Sequence, residues 1–137
     1  MNTADIDLDF DFVPLSVNAL YRIARRGLYK TAKWHQLKDQ FLTSLPLGLK
    51  PIELHNPIAV SIHMYYSDRR KRDIDNPLKA LLDLGNGTLW ADDSQIVQLS
   101  VHKLIDRNRA HTRIAVHRLA PDLTPDTADS SNTSALL

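Results

Sequence analysis

Asp73 and Asp75 stand two residues apart, directly behind the run Arg69, Arg70, Lys71, Arg72, and Asp93 follows them after a short apolar stretch. On extended backbone at the end of a strand, residues two apart project to the same side, so Asp73 and Asp75 converge while Ile74 turns toward the core. Two carboxylates that close repel, and one is driven toward protonation unless a cation lies between them. A divalent cation resolves the conflict, and a ligand set made only of oxygens favours Mg²⁺ or Mn²⁺ over softer metals. A turn bringing Asp93 alongside adds a third carboxylate; Asp92 is its neighbour, and either of the two can face the metal. Such a centre activates a water and neutralises the charge that develops on a scissile phosphate.

Lys79 lies just downstream of the acids, inside what reads as the first turn of a helix. There the helix dipole disfavours a cation, and a local rule broken beside three acids marks a functional position. Its expected work is to stabilise a phosphate oxygen or leaving group, or to orient the attacking water. Asp83, one turn further along the same face, is placed to hold it. Arg69, Arg70, Lys71 and Arg72 are suited to gripping a polyanionic backbone beside the centre, which makes binding salt-dependent. Arg22, Arg25, Arg26, Lys30 and Lys33 add further positive charge upstream, with Arg22 and Lys30 counted among the candidates for contacting such a polyanion.

Taken singly, these features have plain structural meanings. An Asp pair after a strand initiates a turn or caps a helix, and a basic run is a solvated face. It is the conjunction of acids, flanking cations and a misplaced lysine that points to chemistry. The six histidines show no paired metal-ligand spacing and read as structural or surface residues. Gly85, Asn86 and Gly87 read as a helix C-cap and turn rather than a phosphate cradle, and Trp90 as an apolar anchor beneath the acidic loop.

The elements that must position these residues are given by periodicity. Ile6, Leu8, Phe10 and Phe12 alternate with Asp5, Asp7, Asp9 and Asp11, the pattern of a strand with one charged, solvated face. Residues 13–33 read as a long irregular connection, of the kind that often carries function in a small domain. Trp34, Leu37, Phe41 and Leu45 predict an amphipathic helix over 32–44, stopped before Pro46. Ile58 to Tyr66 is a second alternating strand, and 75–87 a short helix with Asn76 as N-cap, Pro77 first and glycines last. Segments 96–105 and 113–119 read as the two arms of a hairpin. Four strands with two inserted helices give a single α+β domain over 1–120 on a mainly antiparallel or mixed sheet. The tail 121–137, rich in Asp, Ser, Thr and Ala, is expected to be disordered.

With 137 residues the chain has room for one domain, and 43% hydrophobic content suffices for a core. The absence of cysteine excludes disulfides, thiolate catalysis and the usual zinc and iron–sulfur sites. No apolar run approaches the ~20 residues of a membrane span, and the acidic N-terminus is unlike a signal peptide, so a soluble, cytoplasmic protein without a membrane partner is expected. Net charge is +1, but the tail holds Asp122, Asp126 and Asp129 without a Lys or Arg, so the body ahead of it is more basic than the total.

The stretch Asp73, Ile74, Asp75, Asn76 behind its basic run, Lys79 and Asp83 in the following helix, and Trp90, Asp92, Asp93, Ser94, Gln95 together resemble the RusA-type Holliday junction resolvases of bacteria and their phages. Pro14, Ser16, Asn18, Tyr21 and Arg22 add a weaker N-terminal match. The resemblance implies a magnesium-dependent endodeoxyribonuclease that acts as a homodimer on four-way and related branched DNA by paired cuts, with Asp73, Asp75 and Asp93 as catalytic acids and Lys79 as an essential helper. Two other readings stand beside it: a branched-DNA-binding module whose metal only orders the loop, and a metal-dependent hydrolase of nucleotides or other phosphate esters.

Overall fold

The alternation of Ile58, Val60, Ile62, Met64 and Tyr66 with smaller or polar residues makes the central strand of the sheet, and its partners set the topology. The computed structural model describes residues 3–14, 17–25 and 27–121. Their elements are β1 (Ile6–Phe10), α1 (Val17–Leu20), β2 (Tyr21–Ala24), β3 (Gly27–Lys30), α2 (Ala32–Ser44), β4 (Ile58–Tyr66), α3 (Leu78–Gly85), β5 (Ile96–Ile105) and β6 (His111–Arg118). A four-stranded mixed sheet runs in the order β1-β6-β4-β5, and β2 and β3 form a separate two-stranded sheet. The architecture is the expected α+β domain. The tail beyond Pro121, Ser16 and Arg26 lie outside the described residues.

The expected hairpin between 96–105 and 113–119 does not form. β5 pairs in parallel with β4, from Ile58 opposite Ile96 to Tyr66 opposite Ile105, while β6 runs antiparallel on the other side of β4. Alternation reports which face of a strand is buried but not which strand lies beside it, and β4 inserts between two segments that are sequence neighbours. Parallel pairing in turn requires a crossover, here the chain through α3. A second departure lies upstream. The expected irregular connection 13–33 instead holds α1 and the β2–β3 hairpin, turned at Gly27 with φ +110.

α2 begins at Thr31, whose side chain accepts from Trp34 N, and ends at Leu45 before Pro46, as the periodicity predicts. Its Trp34 and Phe41 pack with Ala80, Leu81 and Leu84 of α3 and with Phe10, Ile114, Val116 and the buried face of β4 in one core. Each fully buried Ile or Phe contributes about 1.5–3 kcal/mol to that core. At the end of α3, Gly85 packs so closely on the Trp90 indole that a Cβ would lie 2.2 Å from a ring carbon.

The charged face of β1 is not simply solvated. Asp7 is paired with Arg113 at 2.7 Å, Asp9 with Arg109 at 2.8 Å, Asp5 with Arg118 at 3.1 Å, and Asp11 also with Arg109. His111 is held between Asp9 and Asp106, a structural role consistent with the sequence. The Arg113 hydrogen bond holds the Asp7 carboxyl below the ordinary carboxylate range; burial pushes Asp9 up, but Arg109 and His111 outweigh it and Asp9 too is lowered. A carboxylate with a depressed folded-state pKa contributes stability above its unfolded pKa and loses it as pH falls through the folded value. Stability should therefore drop on acidification below about pH 4, and Asp7→Asn should flatten that acid limb while lowering stability at neutral pH, as read by thermal melts across pH.

Candidate active site

β4 ends at Tyr66, and the chain from 67 to 77 leaves the sheet before entering α3. The spacing of Asp73 and Asp75 predicts a place at the end of a strand, but β4 stops at Tyr66 and both lie beyond it in the connection to α3. Each carbonyl starts a tight turn, Asn76 N donating to Asp73 O at 3.3 Å and Leu78 N to Asp75 O at 3.0 Å. Ile74 accordingly points outward, 43% exposed, rather than into the core. The Asp, Asn and Pro of this segment are turn formers, and that preference overrides the alternation. The N-cap of α3 is Pro77, without a side-chain cap, instead of Asn76.

Asp73 lines a cleft of about 320 Å³ with Tyr66, Ser67, Arg72, Asn76 and Pro77. Asp75 is exposed beside it. Asp93 lies in a second shallow cleft, of about 280 Å³, with Leu82 of α3 and the first residues of β5. The structure thus does not gather the three acids into one coordination shell: among the described residues no group of three His, Asp or Glu side chains is arranged to hold a metal. What the three share is that each is exposed and has no ion pair or side-chain hydrogen bond with the described residues. Most other described carboxylates are engaged, as at Asp5, Asp7, Asp9, Asp68 and Asp83.

Asp92 and Asp93 differ in kind. Asp92 caps the short 3-10 turn Asp93–Gln95, accepting from Ser94 N at 3.0 Å, and the Ser94 hydrogen bonds hold its carboxyl below the usual range. The Asp93 carboxylate has no such duty.

Lys79 sits in the first turn of α3, as expected, and Asp83 holds it at 3.5 Å. The basic run is not four equivalent cations. Arg69, Arg70 and Lys71 are exposed, whereas Arg72 folds back to pair with Asp68 at 2.8 Å and lies 4.3 Å over the Tyr66 ring. The Arg70 guanidinium approaches the same Asp68 at 3.6 Å, while the Arg70 backbone N–H donates to Asp68 Oδ1 at 3.0 Å. Lys103 of β5 donates to the Arg72 carbonyl, tying this loop to the sheet. On the hairpin Arg22 and Arg25 are exposed, while Lys30 rests 4.2 Å over Trp34.

Trp90 is fully buried, as an anchor beneath the acidic loop should be, and its Nε1 donates to Asn86 Oδ1 at 2.8 Å. Gln95 escapes notice as a supporting residue on sequence grounds, although Asp92-x-x-Gln95 has the spacing of a capping box. Its buried amide donates to the carbonyls of Glu53 at 2.7 Å and Asn56 at 3.0 Å while its oxygen accepts from Asp92 N at 2.9 Å. Tyr21 and Trp34, linked to Asp83, are also invisible to spacing because they lie far away in sequence.

The profile of the family described as Endodeoxyribonuclease RusA matches residues 11–117. The chain belongs to the RusA family. It is 33% identical over 105 residues to the crossover junction endodeoxyribonuclease RusA of Escherichia coli, a match covering 76% of this chain and 85% of that protein. The proteins of that name from Enterobacteria phage 82 and Shigella sonnei match at the same identity and coverage. The RusA match contains every candidate above, from Arg22 to Asp93, and every element except β1 and the last residue of β6.

Gln95→Leu removes the clamp between the Asp92 turn and the 53–56 loop: the Glu53 carbonyl keeps the Asn56 N–H, but the part-buried Asn56 carbonyl loses its donor and the Asp92 N–H its acceptor, at about 1–3 kcal/mol for a buried group left unsatisfied. Denaturant unfolding should show a loss of that order.

Proposed function

We propose that this RusA-family endodeoxyribonuclease resolves four-way DNA junctions and related branches by paired phosphodiester cuts, as a magnesium-dependent homodimer in the cytoplasm, with Asp73, Asp75 and Asp93 as metal ligands and Lys79 beside them. The supporting observation is the trio of exposed, unneutralised carboxylates on the two loops flanking α3, next to the exposed cations Arg69, Arg70 and Lys71. Such oxygen donors fit a hard divalent cation, with Mn²⁺ an expected substitute. That Asp92 is occupied by capping favours Asp93 as the ligand from that loop.

When bound, the cation supplies an activated water and charge neutralisation at the phosphate. The chain's own groups do the rest. Arg69, Arg70 and Lys71, with Arg22 and Lys30 on the hairpin, hold the DNA backbone; Lys79 presents an ammonium to a phosphate oxygen or leaving group. The reading requires the 67–77 loop and the Asp93 turn to approach one another as the cation and substrate bind. A junction with two-fold symmetry is matched by two equivalent centres, which is the reason for a homodimer. No helix among the described residues is long and apolar enough to cross a membrane.

Asp73→Asn should abolish cutting of a four-way junction in Mg²⁺ or Mn²⁺ while leaving junction binding nearly intact; wild-type cleavage by this variant refutes the metal assignment. Replacing Arg69 and Arg70 together by Ala should weaken binding and lower the slope of log affinity against log salt by about 0.9 for each lost phosphate contact. An unaltered slope removes them from the DNA interface.

A further inference from the structure

Lys79 is anchored by more than its helix neighbour. The Tyr21 hydroxyl, from β2, donates to Asp83 Oδ2 at 2.5 Å, and Trp34 Nε1, from α2, donates to the same hydroxyl at 3.0 Å. The Tyr21 ring lies 5.0 Å from Lys79 Nζ, and Asp83 Oδ2, the oxygen that accepts from Tyr21, is also the one facing Lys79. Tyr21 is 5% exposed and Trp34 2%, whereas the Lys79 side chain is 46% exposed. A buried, fully bonded chain thus ends on a cation that reaches solvent, and α3, α2 and the hairpin all meet in it.

A lone Lys–Asp pair one turn apart on an exposed helix contributes little and leaves a long side chain free to wander. Here Asp83 has one oxygen fixed by a hydroxyl whose own direction is set by an indole N–H, so the carboxylate cannot rotate away from Lys79. The ring face beside the ammonium limits its remaining freedom on the other side. Burial and the Asp83 hydrogen bond push the Tyr21 hydroxyl well above the ordinary phenol range, so it stays a donor throughout the working pH range.

We propose that Tyr21 is a positioning residue for DNA cleavage, acting through Asp83 to fix the Lys79 ammonium at the phosphate. This role rests on the reading of Lys79 given under the proposed function. Tyr21 does not touch the substrate; its effect on the reaction passes entirely through Lys79.

The test is a mutant cycle of Tyr21→Phe, Lys79→Ala and the double variant, reading single-turnover cleavage of a four-way junction at saturating protein, junction affinity without divalent cation, and thermal melting. Tyr21→Phe keeps the ring and loses only the hydroxyl. It should slow cleavage by about tenfold to a hundredfold, the scale on which misplacement of a catalytic group acts, with affinity unchanged. The double variant should cut no more slowly than Lys79→Ala, since residues that act as a unit are not additive. A purely structural role would lower the melting temperature without that non-additivity. Wild-type rates in Tyr21→Phe, or the same fold loss in the Lys79→Ala background, overturn the proposal. If Lys79→Ala alone cuts at the wild-type rate, the reading of Lys79 itself fails and the positioning role falls with it. Should Tyr21→Phe not fold, Asp83→Asn, which keeps an oxygen for Tyr21 but removes the charge facing Lys79, runs through the same cycle; an additive or absent loss there overturns the proposal equally.

Discussion

Parallel pairing between β4 and β5 is the constraint on which the rest of the molecule depends. Two parallel neighbours cannot be joined by a tight turn, so the chain leaving Tyr66 must travel back along the sheet before β5 can begin. That return path carries the basic run, Asp73, Asp75, α3 with Lys79, and Asp93. The crossover that the topology demands is therefore also the segment that holds every acidic candidate and Lys79, and α3 packs its Ala80, Leu81 and Leu84 into the core to keep it in place. Where the segment leaves the sheet, Arg72 stacks on Tyr66 and Lys103 grips its carbonyl. At its far end Gln95 ties it to the 53–56 loop.

The division of labour among charges comes from the same arrangement. On β1 and β6 acids and arginines face each other across an antiparallel ladder, so they neutralise one another and contribute to stability. On the crossover no such ladder exists, and Asp73, Asp75 and Asp93 are left to solvent. Arg72 makes contacts of the structural kind, with Asp68 and the Tyr66 ring, although it stands in a run with three exposed cations.

Much of the fold was legible in local pattern. The bounds of α2 and β4 are set by apolar spacing and a stop before Pro46, and the position of Lys79 in a first turn is set by Pro77. What was not legible depends on distance in sequence. The alternation of 96–105 and 111–118 is the same whether they pair with each other or lie apart with β4 between them, so alternation alone could not separate a hairpin from the observed order. The β2–β3 hairpin has no apolar alternation to reveal it, because β3 is exposed along its length. At the site, the residue types and the order of acids and lysine were readable, but the strand-end placement expected for Asp73 and Asp75 gives way to turns favoured by Asn76 and Pro77. The bond from Tyr21 to Asp83 joins positions 62 apart, beyond any periodic signal.

The close approach of Gly85 to Trp90 bears on how such a chain can diverge. An indole occupies the space where any larger residue would put its Cβ, so α3 is stopped against a fixed wall. Each residue inserted into a helix rotates the turns before it by about 100° relative to the turns after it. One insertion between Lys79 and Asp83 would swing the ammonium away from its carboxylate and around the helix, whereas the loop 106–110 has no such phase to keep. Length variation among descendants of this sequence should accumulate in that loop and spare α3.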